Sequence, residues 1–418
     1  MKTIADNKLL QHQLTAFLQW CVVLIGLSVP ISVVSDNILL ALILLGTLFS
    51  LKNIIVYLAS THPVARAALL LFLILDVAMF YGATPLKDAL VILVKYIDLA
   101  FIPIFIFLLS DPVVRRRARR AFLLAMAVTL VISYLIGFEW VAVAPWMHSW
   151  TVPSNPAIFH SHITQNNMMA FATFLALLEW RDAATRISKI AWIVFVLLAM
   201  YNMLFMVAGR TGYLILLALL GWFTWSSFSR MMHRQGRAWD WRLKTLVISM
   251  LMAGALASYN LSTHLHNRVS LAISEYQNWV PGRADTSIGQ RMDFYFNTLQ
   301  IVKAHALTGV GTGGFPAAFE QQMNGLLKTT NPHNEYLMIS VQTGLIGLVL
   351  MLYLYYTHWR YALMLESPFE QDAARGLLLA YAINCMLNSA LMDHADGLFF
   401  AFMTAVLFAN LKTGTKSD

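Results

Sequence analysis

Long apolar runs alternate with short polar segments along this chain, at a spacing typical of helices that cross a membrane. A membrane-spanning helix needs about 20 consecutive, mostly apolar residues. Twelve segments approach this length, and the pattern predicts an all-α polytopic integral membrane protein of about 12 transmembrane helices, with residues 1–418 in one transmembrane domain. The approximate bounds of the predicted spans are Phe17–Val34, Ile38–Leu58, Val64–Tyr81, Ala89–Leu109, Ala121–Phe138, Asn166–Leu178, Ile190–Val207, Gly212–Phe228, Leu246–Leu261, His333–Thr357, Gly376–Leu391 and Gly397–Leu411.

Basic residues are unevenly distributed between the connections of these spans. If the N-terminus is cytoplasmic, the connections after the even-numbered spans face the cytoplasm, and several are rich in Lys and Arg, such as DPVVRRRARR after the fourth span. The connection Glu139–Gln165, after the fifth span, contains neither residue type. Because Lys and Arg accumulate in cytoplasmic loops, this asymmetry predicts that both termini are cytoplasmic.

One outer connection is much longer than the others. Residues 262–332 form a polar segment of mixed charge, which we predict to be a large outer loop inserted between spans nine and ten. The stretch RMDFYFNTLQIVKAHA has apolar residues at helical spacing, so short helices are expected in the loop. The following TGVGTGGF matches a G-x-G-x-x-G pattern, but no strand precedes it, and we interpret it as a flexible turn rather than a nucleotide site.

Composition supports the membrane assignment and narrows the chemistry. The chain is 59% hydrophobic and 12% charged, whereas soluble domains carry about 25% charged residues. Its net charge of +8 is explained by the cytoplasmic loops, so nucleic acid binding is not predicted. The two cysteines, Cys21 and Cys385, both lie in apolar runs, which indicates neither a disulfide framework nor a metal site.

The predicted topology brings unusual polar residues to the outer face of the membrane. Arg210 lies in the short turn AGRTG between spans seven and eight, and Arg291 lies in the large loop. The other polar residues on this face are His160, His162, Gln165, His305, His333, Glu335, Asp393, His394 and Asp396. Their convergence predicts a functional site drawn from distant parts of the chain.

The residue types at this face suit recognition of an anion and transfer of a proton. Arg210 precedes the outward N-terminus of span eight, where Thr211 is a candidate cap, and a helix N-terminus beside an arginine favours phosphate binding. At span ten we expect Asn331 to be the N-cap, with His333 in the first helical turn. Arg210 and Arg291 together are suited to a diphosphate. His333, with an ordinary pKa of about 6.5, is suited to act as a general base.

Each of these features also has a structural alternative. Arg210 and Arg291 are each also compatible with a solvated surface role. The alternative for Asp393 and Asp396 is that they cap span twelve. The His160 and His162 pair resembles a metal site, but a structural or solvated role is the alternative. Lys95 and Asp98, three residues apart in span four, predict a buried pair that is either a proton relay or neutralised structural polarity.

Four segments, in order, are shared with a known family: AGRTGYL around Arg210, SIGQRMDFY around Arg291, ALTGVGTGGF, and NPHNEYLMISVQTGLIGL around His333. On these motifs the chain resembles the O-antigen ligase family of bacterial lipopolysaccharide assembly, within a superfamily that includes O-antigen polymerases and protein O-oligosaccharyltransferases. The resemblance implies a GT-C-like membrane glycosyltransferase of the inner membrane, whose active site faces the periplasm.

The resemblance also implies an activity. Such ligases move a glycan from undecaprenyl diphosphate to a terminal sugar of the lipid A–core oligosaccharide, with no nucleotide, metal or other cofactor. Arg210 and Arg291 would bind the donor diphosphate and His333 would be the catalytic base, while Asn334, Glu335 and Asp393 are candidates for supporting roles. Glu335 is also a rival base. The alternatives are a polymerase or protein O-oligosaccharyltransferase of the same superfamily, or a secondary transporter.

Overall fold

The computed structural model describes residues 2–48, 62–234, 263–280 and 286–411, together with scattered positions between 245 and 261. Within these residues the regular structure is helical. In chain order the α-helices are α1 (Lys2–Ser28), α2 (Val33–Leu48), α3 (Pro63–Ala78), α4 (Leu86–Val94), α5 (Asp98–Leu108), α6 (Pro112–Gly137), α7 (His162–Asp182), α8 (Arg186–Tyr201), α9 (Arg210–Arg234), α10 (Thr263–Gln277), α11 (Ser287–Ala304), α12 (Phe315–Gln322), α13 (Glu335–Ala362), α14 (Pro368–Leu387) and α15 (His394–Phe408). A π-helical turn, Asn202–Met206, extends α8.

Several of these helices can cross a membrane, which confirms the prediction of a multi-pass membrane protein. Among the described residues, five segments have the required length and apolar composition: Leu86–Leu108, Pro112–Gly137, Arg186–Met206, Arg210–Met232 and Glu335–Ala362. The apolar helices α2 and α15 are shorter. Part of the predicted ninth span, Leu246–Leu261, and the end of the predicted second span lie outside the described residues. The number twelve therefore stays a prediction.

Two helices, α7 and α15, form the centre of the bundle. Most of the side chains of α15 are buried, including Phe399, Phe400 and Phe402. Burial on all sides explains why this helix is apolar around its whole circumference. Most of α7 is buried as well, over 21 residues rather than the shorter span predicted at Asn166–Leu178. Its polar residues shorten the apolar run in the sequence, but they contact protein rather than lipid.

Helix α14 begins earlier than expected because it continues into a polar ion-pair cluster. The predicted span was Gly376–Leu391, whereas the helix covers Pro368–Leu387. Asp372 in its second turn accepts from Arg181 at 2.8 Å and from Arg230 at 2.6 Å. These contacts join α14 to α7 and α9. Because two arginines compensate the charge of Asp372, the helix can include it, whereas hydropathy alone predicts a later start.

The glycine-rich segment after α11 is packed against a kink in α13, and the prediction that it is a flexible turn was wrong. Helix α13 is broken at Gly344, whose φ of 66° and ψ of −162° are not helical. The carbonyls of Val341 and Gln342 accept instead from the amides of Val310 at 2.7 Å and Gly311 at 3.0 Å. The carbonyls that lose their helical partners at the break are therefore hydrogen-bonded by the backbone of the glycine-rich segment, as required where water is scarce.

Close approach explains the glycines in this segment. Gly309, Gly311 and Gly313 all have positive φ, between 71° and 90°. A Cβ on Gly311 would lie 2.4 Å from the Cα of Gly82, in the turn after α3. Only glycine permits both the backbone conformation and this contact. The segment is thus a fixed junction between α3, α13 and the large loop.

The large loop, residues 262–332, contains short helices as predicted. Helix α10 is followed by α11, which begins four residues before Arg291 and packs against both α10 and α13. Thr286 caps α11 by accepting from the Gly289 amide at 3.1 Å. This arrangement places α11 between the start of α9 and the start of α13, where the candidate site lies.

Candidate active site

Arg210 and Arg291 line the same cavity, as predicted, although 80 residues separate them in the sequence. The cavity has a volume of about 170 Å³. Its walls come from the start of α7, the turn before α9, the first turn of α9, α10 and α11. The lining residues are His162, Ile163, Ala208, Gly209, Arg210, Thr211, Leu271, Glu275 and Arg291. Two guanidinium groups in one partly enclosed space have the chemistry that anion binding requires.

A second, larger cavity adjoins the first and shares Arg210 with it. This groove has a volume of about 460 Å³ and lies between the first turns of α9 and the outer face of α10. Apart from Arg210 and Gln277, its lining is apolar or aromatic: Tyr213, Leu214, Val269, Ala272, Ile273 and Tyr276. An amphiphile with a charged head and an apolar chain fits this pair of cavities, because Arg210 stands at the junction between them.

The position of Arg210 depends on a tightly packed turn. The Ala208 amide donates to Asn155 Oδ1 at 2.9 Å, which ties the turn to the loop before α7. A Cβ on Gly209 would lie 2.4 Å from the buried side chain of Asn166, so glycine allows the start of α9 to lie against α7. Helix α9 begins at Arg210, which corrects the suggestion that Thr211 is its cap. Thr211 Oγ1 instead accepts from Asn388 at 3.4 Å.

The structure adds an acidic residue that was not predicted for the site. Glu275, near the end of α10, lines the arginine cavity, and its Oε2 lies 3.8 Å from Nη1 of Arg210. The same oxygen accepts from the Ile288 amide, in the first turn of α11, at 3.1 Å. Only 9% of the Glu275 side chain is exposed. Nothing in the sequence pattern of this polar loop distinguishes it from a surface glutamate.

His333 does not lie in the first turn of a helix, and the prediction that Asn331 is the N-cap was wrong. Helix α13 begins at Glu335, and Asn334 is its cap, accepting from the Leu337 amide at 3.0 Å. His333 precedes the cap with a φ of 55°. Asn331 Oδ1 accepts from the His333 amide at 2.7 Å, and this asparagine turn sets the left-handed conformation. The hydrogen bond to the Asn331 side chain thus delays the start of the helix to Glu335. The spacing of apolar residues in the sequence does not reveal such a local bond.

Helix α11 holds His333 beside Arg291. The His333 ring stacks on Phe294, with centroids 6.0 Å apart and an angle of 22° between the planes. The Tyr295 hydroxyl donates to the His333 carbonyl at 3.0 Å. Burial, and then the positive charge of Arg291, lower the pKa of His333. The ring is therefore neutral near pH 7, the form that can accept a proton, and it lies beside the cavity rather than in its wall.

The two residues after His333 have structural contacts. Asn334 also donates to the Met386 carbonyl at 3.0 Å. Glu335 is fully buried. Its carboxylate accepts from the Tyr96 hydroxyl at 2.9 Å and from the amides of Leu391 and Met392 at 2.8 and 3.3 Å. Asn334 thus joins the start of α13 to the end of α14, and Glu335 joins it to the turn that leads into α15.

Asp393 caps α15, as one of the two sequence interpretations suggested. Its carboxylate accepts from the amides of Ala395 and Asp396 at 3.1 and 3.2 Å. Asp396 is buried and accepts from Thr164 at 3.0 Å and from Asn167 at 2.5 Å. Asp393 therefore has a role as a helix cap, and Asp396 has a role in packing α15 against α7. Asp393 belongs to the same turn that Glu335 holds, but it does not line the arginine cavity.

The predicted pair of Lys95 and Asp98 does not form. Lys95 is exposed, whereas Asp98 is 2% exposed and faces α15. Asp98 instead lies near His394, with 3.7 Å between Oδ2 and Nδ1. Keeping the lysine in the low-dielectric interior would be costly, and its long side chain avoids burial.

The remaining predicted polar residues divide into one that lines the cavity and several that do not. His162 lines it. His160 is buried and bonded to the Val29 carbonyl at 2.9 Å, and Gln165 accepts from the Ile158 amide at 2.8 Å, so these two hold the loop before α7. His305 is exposed at the far end of α11, about 21 Å along the helix from Arg291 at 1.5 Å per residue.

The comparisons with known proteins agree with the four sequence motifs. Residues 188–352 match the family model described as O-antigen ligase. This segment contains Arg210, Glu275, Arg291 and His333, but not Asp393. The match confirms the resemblance to that family. No curated protein matches the chain.

Proposed function

Starting from the O-antigen ligase family match over residues 188–352, we propose that this protein is a membrane glycosyltransferase that transfers a glycan from undecaprenyl diphosphate to lipid A–core oligosaccharide. The observation that carries the proposal is the shared cavity of Arg210 and Arg291 beside a neutral histidine. It combines an anion site with a proton acceptor. These are the two requirements of glycosyl transfer from a diphosphate leaving group.

The donor occupies both cavities in this proposal. Its diphosphate lies between Arg210 and Arg291, whose guanidinium groups stabilise the charge that develops on the leaving group. Its polyprenyl chain extends along the apolar groove, past Leu214 and Ile273. Since Arg210 lines both spaces, one side chain marks the point where the diphosphate meets the lipid.

His333 acts as the general base. It removes a proton from the acceptor hydroxyl, which attacks the anomeric carbon as the bond to the diphosphate oxygen breaks. The electron pair of that bond leaves with the diphosphate, next to the two arginines. A single displacement of this kind inverts the configuration at the anomeric carbon. All the groups invoked are side chains of this chain, and we propose that neither a metal nor a nucleotide takes part.

The remaining candidates support the base. Asn334 and Glu335 fix the start of α13, and Glu335 also fixes the turn that carries Asp393. The carboxylate of Glu335 is occupied by three donors in a buried position, which favours a positioning role over the rival role of base. We place the site on the periplasmic side of the bacterial inner membrane, with both termini in the cytoplasm.

A reconstituted transfer reaction tests the proposal. Purified protein receives undecaprenyl-diphosphate-linked glycan and lipid A–core in the presence of EDTA and without nucleotide. We expect lipid A–core of higher mass from the wild type and none from His333→Ala. A His305→Ala variant, altered at an exposed histidine remote from the cavity, should be as active as the wild type. Transfer by His333→Ala at the wild-type rate would remove the base assignment.

Product analysis separates the alternatives within and outside the superfamily. Lengthening of the glycan with donor alone would identify a polymerase. Modification of a protein acceptor, but not of lipid A–core, would identify a protein O-oligosaccharyltransferase. If no transfer product forms and activity in cells depends on Asp98 but not on Arg210 or His333, the chain is a transporter.

A further inference from the structure

The arginine cavity contains its own carboxylate. Glu275 lies 3.8 Å from Arg210 and accepts from the Ile288 amide at 3.1 Å, with the same oxygen making both contacts. Arg291 lines the same cavity of about 170 Å³. The Glu275 side chain is only 9% exposed, so its charge is poorly screened by water.

The contacts of this carboxylate resemble those of a bound phosphate. A guanidinium group and a backbone amide in the first turn of a helix are donors that phosphate oxygens commonly use. Glu275 forms an ion pair with the guanidinium group of Arg210 and accepts a hydrogen bond from the Ile288 amide. A diphosphate entering the cavity meets a negative charge on the donors that it requires, and two anions on the same donors repel each other.

We infer that Glu275 is a stand-in for one phosphate of the donor, and that the diphosphate displaces it from Arg210 and the Ile288 amide. The inference rests on the proposed function and deepens it, because it assigns Ile288 as a further phosphate donor and Glu275 as the residue that sets donor affinity. No bond is made or broken in the exchange. The carboxylate moves away, and the diphosphate takes over its donors.

The exchange has a clear role in a reaction with a charged leaving group. With the cavity empty, Glu275 compensates the positive charge of Arg210 in a poorly hydrated space. After transfer, the free lipid diphosphate has to leave two arginines that bind it strongly. The returning carboxylate competes for the same donors and speeds product release. Glu275 therefore lowers affinity for the donor and product alike.

Binding of inorganic pyrophosphate to the full-length protein tests this inference without any requirement for transfer. Calorimetry on the detergent-solubilised protein should show that Glu275→Gln binds pyrophosphate roughly tenfold more tightly than the wild type. Arg210→Gln should bind it more weakly. Glu320→Gln is the matched control, because Glu320 lies in the same loop and pairs with Lys328 at 2.6 Å, but it is remote from the cavity lining. Its affinity should equal that of the wild type.

The outcomes distinguish this inference from the proposed function. Unchanged or weaker pyrophosphate binding by Glu275→Gln, in protein that melts at the wild-type temperature, would overturn the inference and make Glu275 a support for Arg210. Glu275→Ala provides the same test if the glutamine variant does not fold. Competition between pyrophosphate and undecaprenyl diphosphate in mixed micelles identifies the lipid as the ligand, and its absence would also overturn the inference. If Glu275→Gln binds pyrophosphate more tightly than the wild type but no glycan is transferred, the inference stands and only the proposed reaction is rejected.

Discussion

The hydroxyl of Tyr295 donates to the backbone carbonyl of His333 over 3.0 Å. It also donates to the carbonyl of Met386, at the end of α14, over 3.1 Å. Burial raises the pKa of Tyr295, so the hydroxyl keeps its proton and stays a donor at neutral pH. One phenol thus joins the loop helix α11, the proposed base and α14, and it holds a histidine whose backbone conformation is uncommon for a residue with a side chain.

Replacing Tyr295 with phenylalanine should slow transfer without preventing donor binding. A neutral hydrogen bond contributes about 0.5–1.5 kcal/mol, which corresponds to a decrease in kcat of roughly 3- to 10-fold. The KM for the donor should change little. The measurement is steady-state transfer at varied donor concentration. Tyr336→Phe is the matched control, because its hydroxyl donates to the Ala382 carbonyl at 3.1 Å without contacting the site; an equal loss in both variants would indicate a general packing effect.

The pH dependence of transfer should report the lowered pKa of His333. A general base must be neutral, so activity is present above its pKa and is lost as the pH falls through it. Because burial and Arg291 lower this pKa in the free protein, the acidic limb of kcat/KM should have its midpoint below 6.5. In Arg291→Gln, the midpoint of the kcat/KM profile should move upward, because the positive charge that lowers the pKa of His333 is gone. A midpoint above 6.5 in the wild type would contradict the assignment of His333 as the base.

Arg210 should be sensitive to the shape of its side chain as well as to its charge. Arg210→Gln is expected to lower kcat/KM by roughly 100-fold, because it removes charge from the leaving-group site. Arg210→Lys should recover only part of this loss, since an ammonium group cannot bind phosphate oxygens bidentately. The transfer assay measures both variants. Full activity of the lysine variant would show that charge alone suffices at this position.

Two substitutions of Glu335 test whether this residue positions the site or acts as the base. Glu335→Ala leaves the Tyr96 hydroxyl and the amides of Leu391 and Met392 without their acceptor in a buried site. We expect a loss of stability of about 3 kcal/mol or more, seen as a lower melting temperature together with reduced activity. Glu335→Gln should retain measurable transfer. If the glutamine variant is inactive but melts normally, Glu335 rather than His333 is the base.

Gly344 should tolerate no side chain. Its φ and ψ belong to a region that essentially only glycine adopts, and a Cβ would lie 2.1 Å from the Leu307 carbonyl. Gly344→Ala should destabilise the protein by about 3 kcal/mol or more. Gly325→Ala is the control for conformation alone, because Gly325 has a φ of 76° but nothing within 4 Å of a Cβ, and should cost about 1–2 kcal/mol. If Gly344→Ala and Gly325→Ala melt at the same temperature, the close contact with Leu307 does not contribute to the loss of stability.

Hydropathy predicted the membrane character of the chain well, because apolar runs reflect exposure to lipid. It was least accurate where helices are surrounded by protein. Helix α7 contains Asn166 and Asn167 in its buried part, so its apolar run looked short. Asp372 lies within α14 because two arginines from neighbouring helices compensate its charge. Neighbours of this kind belong to the tertiary structure, and a single sequence does not reveal them.

The candidate site could be predicted from the sequence only in part. Arg210 and His333 were predicted because they are chemically unusual at the ends of apolar runs, and Arg291 was predicted from its motif in the large loop. Glu275 and Tyr295 were missed, since a glutamate and a tyrosine in a polar loop are ordinary residues. Their significance depends on the folding of α10 and α11 against the starts of α9 and α13. The exact start of α13 was missed for a different reason, because the side chain of Asn331 forms a local turn in place of a helix cap.

The glycine segment that packs against the kink of α13 is largely buried, although it belongs to a polar loop. Gly344 is nine residues into α13, about 13 Å from its beginning at 1.5 Å per residue. Residues 309–314 therefore lie alongside the first half of a helix that is long and apolar enough to cross a membrane, although the segment itself is too short and too polar to be recognised as a span. The amides of Val310 and Gly311 donate to carbonyls of α13, and the amide of Thr312 donates to the carbonyl of Ala78 in α3. A water-soluble thiol reagent should consequently fail to label Thr312→Cys, which is buried, while it labels Leu326→Cys, only 14 residues further along the same large loop.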